Sequence, residues 1–463
     1  MTQSIVIQVG QCGNQIGSRF WDLALKEHSY VKKNGEYDNS MSTFFVNNNN
    51  SSNSIYKGQI SGLKARAVLI DMEEGVVSEI MKSSIKNLFD HKQLITDISG
   101  SGNNWATGNL EYGLKYHEQI SENIRKSAEL CDCLQCFFIL HSMGGGTGSG
   151  LGTHVTQMLA DEYPEVYRFV NAVFPSDDDD VITSPYNSVL GLNKLTEFAD
   201  CVMPIENNSL IRMVKTFNKY SDSKESSNDK SRKPFDAMND IVANLLLNLT
   251  SSSRFEGTLN VDLNEISMNL VPFPKLHYLI AAQAPLYSLE SKMNPLFQPR
   301  RIDQIFADSF TKDFQMIDVE PKMHTYLACA LLVRGNVEIS DIRRNIERYR
   351  NNLKFVPWNK EGWKVGHCSV APRGQRYSLL NLSNNTSIHN TFHELLIKFN
   401  KLYKRKAHIH HYTQVDGFQN DLFKQSVASL LDLENEYHQL EKQVSRTNNE
   451  DFSTDIPRLK IAE

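Results

Sequence analysis

The run Gly144-Gly145-Gly146-Thr147-Gly148-Ser149-Gly150 constrains what this chain can fold into more than any other feature. It follows an apolar, strand-like stretch at 136–140 and precedes Leu151, Val155, Met158 and Leu159, which fall on one face at helical spacing. Glycines between a strand and a helix let the backbone turn tightly and approach an anion closely. The helix start adds free N–H groups and the positive end of its dipole, and Thr147 and Ser149 add hydroxyl donors. The run reads as a phosphate cradle. Taken alone, a glycine turn without a ligand stays open as the alternative. A Walker A loop is excluded because Leu151, not Lys, follows Gly150. A Rossmann G-x-G-x-x-G register starting at Gly144 ends on Ser149, and no hydride-site His/Asp pairing is evident, so a nicotinamide dehydrogenase is disfavoured.

The pattern around the run gives the fold class. Residues 4–9 form an apolar stretch ending at Gly10, followed by Ile16, Phe20, Leu23 and Ala24 on one helical face. Further short apolar stretches lie at 67–70, ending in Asp71, and at 167–174. Strands alternating with helices at this spacing predict an α/β fold with a parallel sheet covered on both faces, and ligands in such sheets sit at the carboxyl ends of the strands. Polar stretches at 47–54 and 221–232 read as loops, and a long helix is expected at 236–249. The mixture of strands and short helices over about 255–385 reads as a second α/β region. Two amphipathic helices follow. The first opens with Thr391 and Glu394 at capping-box spacing and carries Phe392, Leu395, Leu396, Phe399 and Leu402. The second, near 420–441, carries Phe423, Val427, Leu430, Leu431 and Leu440, and the stretch from 448 onward is expected to be weakly ordered. The expected division is therefore 1–215, a core helix at 235–253, an intermediate α/β domain at 254–388 and a helical region at 389–463.

Charge and cysteine content narrow the functions. A net charge of −5 argues against nucleic acid as the main partner, and the cationic stretch 401–406 reads as a solvated helix end. No stretch of about 20 apolar residues would cross a membrane, and the N-terminal residues do not resemble a secretory signal. Seven cysteines, an odd number, suit reduced cytoplasmic thiols. Cys131, Cys133 and Cys136 lack a convincing second ligand group and read as structural thiols rather than metal ligands.

Three more clusters fall at strand ends: Gly10-Gln11-Cys12-Gly13-Asn14-Gln15, Asp71-Met72-Glu73, and Gly100-Ser101-Gly102-Asn103-Asn104-Trp105. Two glycine-bearing turns suit a ligand with several phosphates, and carboxylates beside phosphates make sense where Mg2+ bridges them. On its own the acidic pair reads better as a helix-dipole partner.

Together these clusters resemble the tubulin superfamily, from GQCGNQIG at 10–17 through His141-Ser142 and the glycine run to KAHIHHY at 406–412. The resemblance implies a GTP/GDP site. Gly10, Gln11, Cys12 and Gln15 would line the first phosphate loop, Asn103, Ser142, Gly144, Gly145, Gly146, Thr147 and Gly148 would hold phosphates, and Asp71 and Glu73 would lie near Mg2+. Asn207 and Asn239 match the amides that read guanine edges. Phe235 matches the base-stacking aromatic, a Tyr in most tubulins, and Asp180 lies in the ribose-contacting loop, where Ser184 replaces a Glu. Glu265 matches the residue with which alpha-tubulin completes hydrolysis in trans on a neighbour's nucleotide, so head-to-tail assembly with other tubulins is implied. The segments 99–105 and 235–239 resemble the epsilon branch, which implies a cytoskeletal place at the centriole, centrosome and basal body, with delta-tubulin and centriolar proteins as partners and a part in triplet microtubules. The segment 457–463 lacks the glutamate run of alpha- and beta-tubulin tails, which makes bulk microtubules a less fitting place. A structural GTP-binding subunit of a delta-tubulin complex, with little turnover, is the second expectation.

Overall fold

The computed structural model describes residues 2–31, 37–47, 60, 62–176, 180–220, 235–286 and 301–450, with 217–220 and 445–450 followed as backbone. The expected loops over 48–54 and 221–232, the aspartates 177–179 and the terminal stretch 451–463 lie outside these residues.

In chain order the strands are β1 (Gln3–Val9), β2 (Phe45–Asn47), β3 (Leu63–Ala65), β4 (Ala67–Asp71), β5 (Leu94–Thr96), β6 (Leu134–Ser142), β7 (Tyr167–Phe174) and β8 (Cys201–Glu206). The order continues with β9 (Leu279–Ala284), β10 (Thr325–Gly335), β11 (Lys354–Phe355), β12 (Trp363–Cys368) and β13 (Tyr377–Asn385). The first sheet is parallel throughout, in the order β5-β4-β1-β6-β7-β8. Alternate residues of its central strands enter different cores. Val6, Leu69 and Phe138 face one, and Ile7, Ile70 and Ile139 the other. That split explains the unbroken apolar runs, since a sheet covered by helices on both faces has no solvent side to mark with polar residues.

The second sheet is mixed, in the order β11-β10-β13-β9, with β12 also pairing β10. β10 runs antiparallel to β13 and parallel to β12, and β13 runs antiparallel to β9. The helix Asp236–Leu249 lies between the two regions, as its apolar content predicts. Arg19 from the helix Gly10–Val31 grips its Asp240 through two hydrogen bonds of 2.6 and 2.9 Å. At its other end Glu27, also on that first helix, accepts from Arg254 and Arg334, both fully buried, at 2.5 Å each.

Two expectations for the C-terminal region need correction. The helix Ile388–Tyr403 starts before Thr391, which is buried inside it, so Thr391 and Glu394 form no capping box. Its start is set by Asn385, whose side-chain oxygen accepts from the Ser387 N–H at 2.9 Å. The last helix runs Asp421–Glu450, past the expected end at 441 and into the stretch expected to be weakly ordered. Its Phe423, Leu430, Leu433 and Tyr437 are buried, whereas Leu431 is exposed. Leu430, Leu433 and Tyr437 follow i, i+3, i+7, and Leu431 sits beside that stripe. The cationic stretch 401–406 is mostly exposed at the end of the preceding helix. Cys131 takes a hydrogen bond from Arg66 at 3.1 Å, and Cys136 is buried in β6.

Candidate functional site

The carboxyl ends of β1, β4, β6, β7 and β8 open onto one cleft of about 390 Å³. Each expected loop reaches it for a local reason. Gly10 ends β1 with φ +73°, a conformation other residues rarely adopt. A Cβ there would also stand 3.3 Å from the Gly148 nitrogen, so the absence of side chains lets the two glycine turns approach each other. Asn14, buried one turn later, donates to the Gly10 and Ile70 carbonyls at 3.0 and 3.1 Å, fixing the first turn against β4.

The run 144–150 begins as an open turn and continues into a wide helical turn at Thr147–Leu151 that packs on another at Thr107–Tyr112. Gly108 and Gly150 allow the approach: a Cβ on Gly108 would fall 2.3 Å from the Gly146 carbonyl oxygen, and one on Gly150 2.4 Å from the Trp105 carbonyl oxygen. Such wide turns concentrate at functional sites. Ser142, Gly144, Gly145, Gly146, Thr147 and Gly148 all line the cleft. Thr147 pairs with the Ser101 hydroxyl at 2.8 Å, joining the glycine run to the loop from 100 to 105. His141 lies behind the cleft with its ring against Gly152, held neutral by burial at a pKa of about 4.

In that loop Gly100, Gly102 and Asn103 have φ of +64°, +55° and +52°. Asn103 lines the cleft, while Asn104 and Trp105 point away: Asn104 donates to the His411 carbonyl at 2.8 Å and Trp105 is buried. Asp71 and Glu73 are the only carboxylates lining the cleft among the described residues. Asp71 is buried, and its Oδ2 has no hydrogen-bond partner among the described residues. Burial pushes its carboxyl up to about 7, with the Glu73 charge adding to the shift and backbone N–H groups opposing it. Glu73 is exposed and lies over Gly100, where a Cβ would come within 2.7 Å of its Oε1.

Gln11, Cys12 and Gln15 from the first helix line the cleft too. Its far side is built from Asn207, which starts the helix after β8, and from Phe235 and Asn239 at the start of the core helix. Phe235 is half-exposed and offers a ring face. The structure therefore brings together the expected site residues except Asp180, Ser184 and Glu265. Asp180 is exposed and outside the lining, where Val181 takes its place, and Ser184 is buried at a helix start without lining the cleft. Glu265 lies apart from the cleft, on the helix Leu263–Leu270, in an ion pair with Lys364 of β12.

Sequence reasoning missed the apolar wall formed by Ile16, Val173, Phe174, Pro175, Leu210, Met238 and Val242. The signal was available. Val173 and Phe174 end a strand in a sheet whose ligands sit at strand ends, and Met238 and Val242 follow Phe235 at i+3 and i+7, with Asn239 at i+4.

Two family models match the chain in part: Tubulin/FtsZ family, GTPase domain, over residues 3–215, and Tubulin C-terminal domain, over residues 274–397. The tubulin epsilon chain of Mus musculus is 58% identical and that of Homo sapiens 57%, each aligned over 100% of this chain and 100% of its own. The tubulin beta-1 chain of Chondrus crispus is 33% identical, covering 95% of this chain and 94% of its own. With a GTPase domain spanning the strands that open onto the cleft and full-length relatives at this identity, the chain belongs to the tubulin family.

Proposed function

We propose that this chain is a guanine-nucleotide-binding tubulin subunit of the epsilon type that takes GTP/GDP with Mg2+ in the cleft and stacks head to tail with other tubulins. The observation that carries this reading is the meeting of separate glycine- and amide-bearing segments in one cleft beside a buried, unpaired carboxylate oxygen. The residues fit such a ligand. A Cβ on Gly145 would point among cleft groups and meet nothing closer than Asn103 Oδ1 at 3.7 Å, so the turn leaves room for a group to approach its backbone. Asp71 Oδ2 has no hydrogen-bond partner among the described residues, and with Glu73 it would hold Mg2+, which supplies neutralising charge at the phosphates when bound. Phe235 offers a stacking face, Asn207 and Asn239 offer amides, and the wall of Ile16, Leu210, Met238 and Val242 excludes water beside them.

If both cleft carboxylates serve the cation, none among the described residues lining the cleft is left to orient a water at the terminal phosphate. That supports completion of hydrolysis by Glu265 on a neighbouring subunit's nucleotide. The epsilon-like character supports a place at the centriole, centrosome and basal body, with delta-tubulin and centriolar proteins as partners. The test is nucleotide released from the purified, denatured chain, followed by GTP turnover on mixing with delta-tubulin. About one guanine nucleotide per chain, with turnover that rises with partner concentration and is abolished by Glu265→Ala, is the expected result. No binding of GTP with Mg2+ in direct titration would overturn the nucleotide site. One observation favours a second reading, a structural subunit with little turnover: the Glu265 carboxylate is engaged by Lys364 within its own chain. Full nucleotide occupancy with turnover indifferent to partner and to Glu265→Ala would establish that reading instead.

A further inference from the structure

Far from the nucleotide cleft in the sequence, two imidazoles meet one carboxylate, with a third imidazole beside them. His324 lies immediately before β10, His389 is the second residue of the helix Ile388–Tyr403, and His438 and Glu441 lie one turn apart on the last helix. His324 Nδ1 is 2.8 Å from Glu441 Oε1, and His389 Nε2 is 3.4 Å from Glu441 Oε2. The rings of His324 and His389 are centred 5.7 Å apart, and those of His389 and His438 5.4 Å apart. One ligand atom from each of His324, His389 and Glu441 lies within 4.8 Å of the others. Their side chains are 22%, 15% and 24% exposed, so the group is sheltered but reachable.

We propose that His324, His389 and Glu441 form a zinc site, with His438 or a water completing the coordination, that fastens the last helix to the start of β10 and to the helix Ile388–Tyr403. Two imidazole nitrogens and a carboxylate make a donor set suited to Zn2+ rather than to Mg2+ or Ca2+, which take oxygen ligands. Bonds of about 2.0–2.1 Å in a tetrahedral site put neighbouring ligand atoms roughly 3.3–3.5 Å apart. The histidine–carboxylate separations of 2.8 and 3.4 Å, each to a different oxygen of Glu441, lie at or somewhat below that value, and the three ligand atoms all fall within 4.8 Å of one another, so small side-chain rotations are what an ion would require. The competing account is a pair of histidine–glutamate hydrogen bonds that binds no metal. It predicts the same contacts without an ion, so the two part on metal uptake.

The experiment uses the full chain, reduced, with GTP and excess Mg2+ present to occupy the nucleotide cleft. Zn2+ is titrated against a chromophoric indicator. The expected result is one tightly bound Zn2+ per chain, a rise in Tm of about 2–4 °C on saturation, and at least a roughly tenfold loss of affinity in Glu441→Gln and in His389→Gln. His117→Gln, which removes the imidazole paired with His154 at 3.2 Å elsewhere on the chain, leaves the binding unchanged. Should Glu441→Gln fail to fold, His324→Gln on the chain segment before β10 gives the same reading. Absence of stoichiometric Zn2+ on the wild-type chain, or uptake that survives both Glu441→Gln and His324→Gln, overturns the proposal and leaves the hydrogen-bonded clamp.

Discussion

Neighbouring glycines in the run 144–150 have different reasons to be glycine. A methyl on Gly146 would fall 2.5 Å from the Asn104 nitrogen and 2.7 Å from its carbonyl oxygen, backbone atoms that cannot turn aside. Gly146→Ala is therefore expected to lower stability by about 1–3 kcal/mol, seen as a drop in Tm. A methyl on Gly145 would make only ordinary contacts, at 3.7 and 3.9 Å, but among groups that line the cleft. Gly145→Ala is expected to leave Tm nearly unchanged while reducing retained nucleotide about tenfold, a split that ion-exchange analysis of released nucleotide reads directly. Glu27 makes a different residue-scale case. Burial disfavours its charge, but Arg254 and Arg334 outweigh that and hold its carboxyl down at about 2. A depressed carboxyl contributes stability that is complete above its unfolded pKa, about 4.5, and is lost as pH falls toward 2, at most about 3 kcal/mol. Denaturation midpoints measured from pH 6 down to pH 3 should show this decline, and Glu27→Gln should flatten it. The same substitution should cost about 3–5 kcal/mol at neutral pH, because two guanidinium groups would stay buried without their counter-ion.

Between elements, one buried amide organises much of the cleft without lining it. Asn187, on the helix Ser184–Phe198, donates to the carbonyls of Asn103 and Gly144 at 2.8 Å each. Its oxygen accepts from the Trp105 backbone N–H at 2.9 Å and the Tyr412 hydroxyl at 2.6 Å. Two cleft-lining loops and the C-terminal region thus share one side chain, and the C-terminal helices support a site to which none of their described residues contributes lining. Asn187→Ala would leave these partners unmatched in the interior, at about 1–3 kcal/mol for each group not rescued by water. The expected outcome is a lower Tm together with faster nucleotide loss, and Tyr412→Phe, which removes a single partner, should show a weaker form of both. Nothing in the local pattern marked Asn187. An Asn within a helix usually faces solvent, and its burial is set by loops 84 and 43 residues earlier in the chain.

At the scale of the whole molecule, the nucleotide cleft and Glu265 lie in different places, so any catalytic meeting between them has to occur between subunits. Lys364→Ala would release the Glu265 carboxylate from its ion pair. In mixtures with delta-tubulin this should raise GTP turnover if Glu265 acts in trans, and leave it unchanged if the nucleotide is structural. What the sequence determined by itself was what repeats over short distances. Unbroken apolar strands, 3.6-residue helical stripes and glycines at strand ends are local, and they fixed the parallel sheet, the core helix and the side of the sheet on which a ligand lies. Tertiary structure alone decided the long-range pairings. Glu27 accepts from Arg334 across 307 residues, Asn104 reaches His411 across 307, and Phe235, Met238 and Asn239 close a cleft that begins at Gly10. Asp180, read as a site residue from its match to the ribose-contacting loop of tubulins, turns to solvent, while Val181 lines the cleft. The physical reason is the same in each case. Periodicity states which face of an element is buried, but which partner buries it depends on how whole layers pack, and that information is spread over the chain rather than written in any one segment.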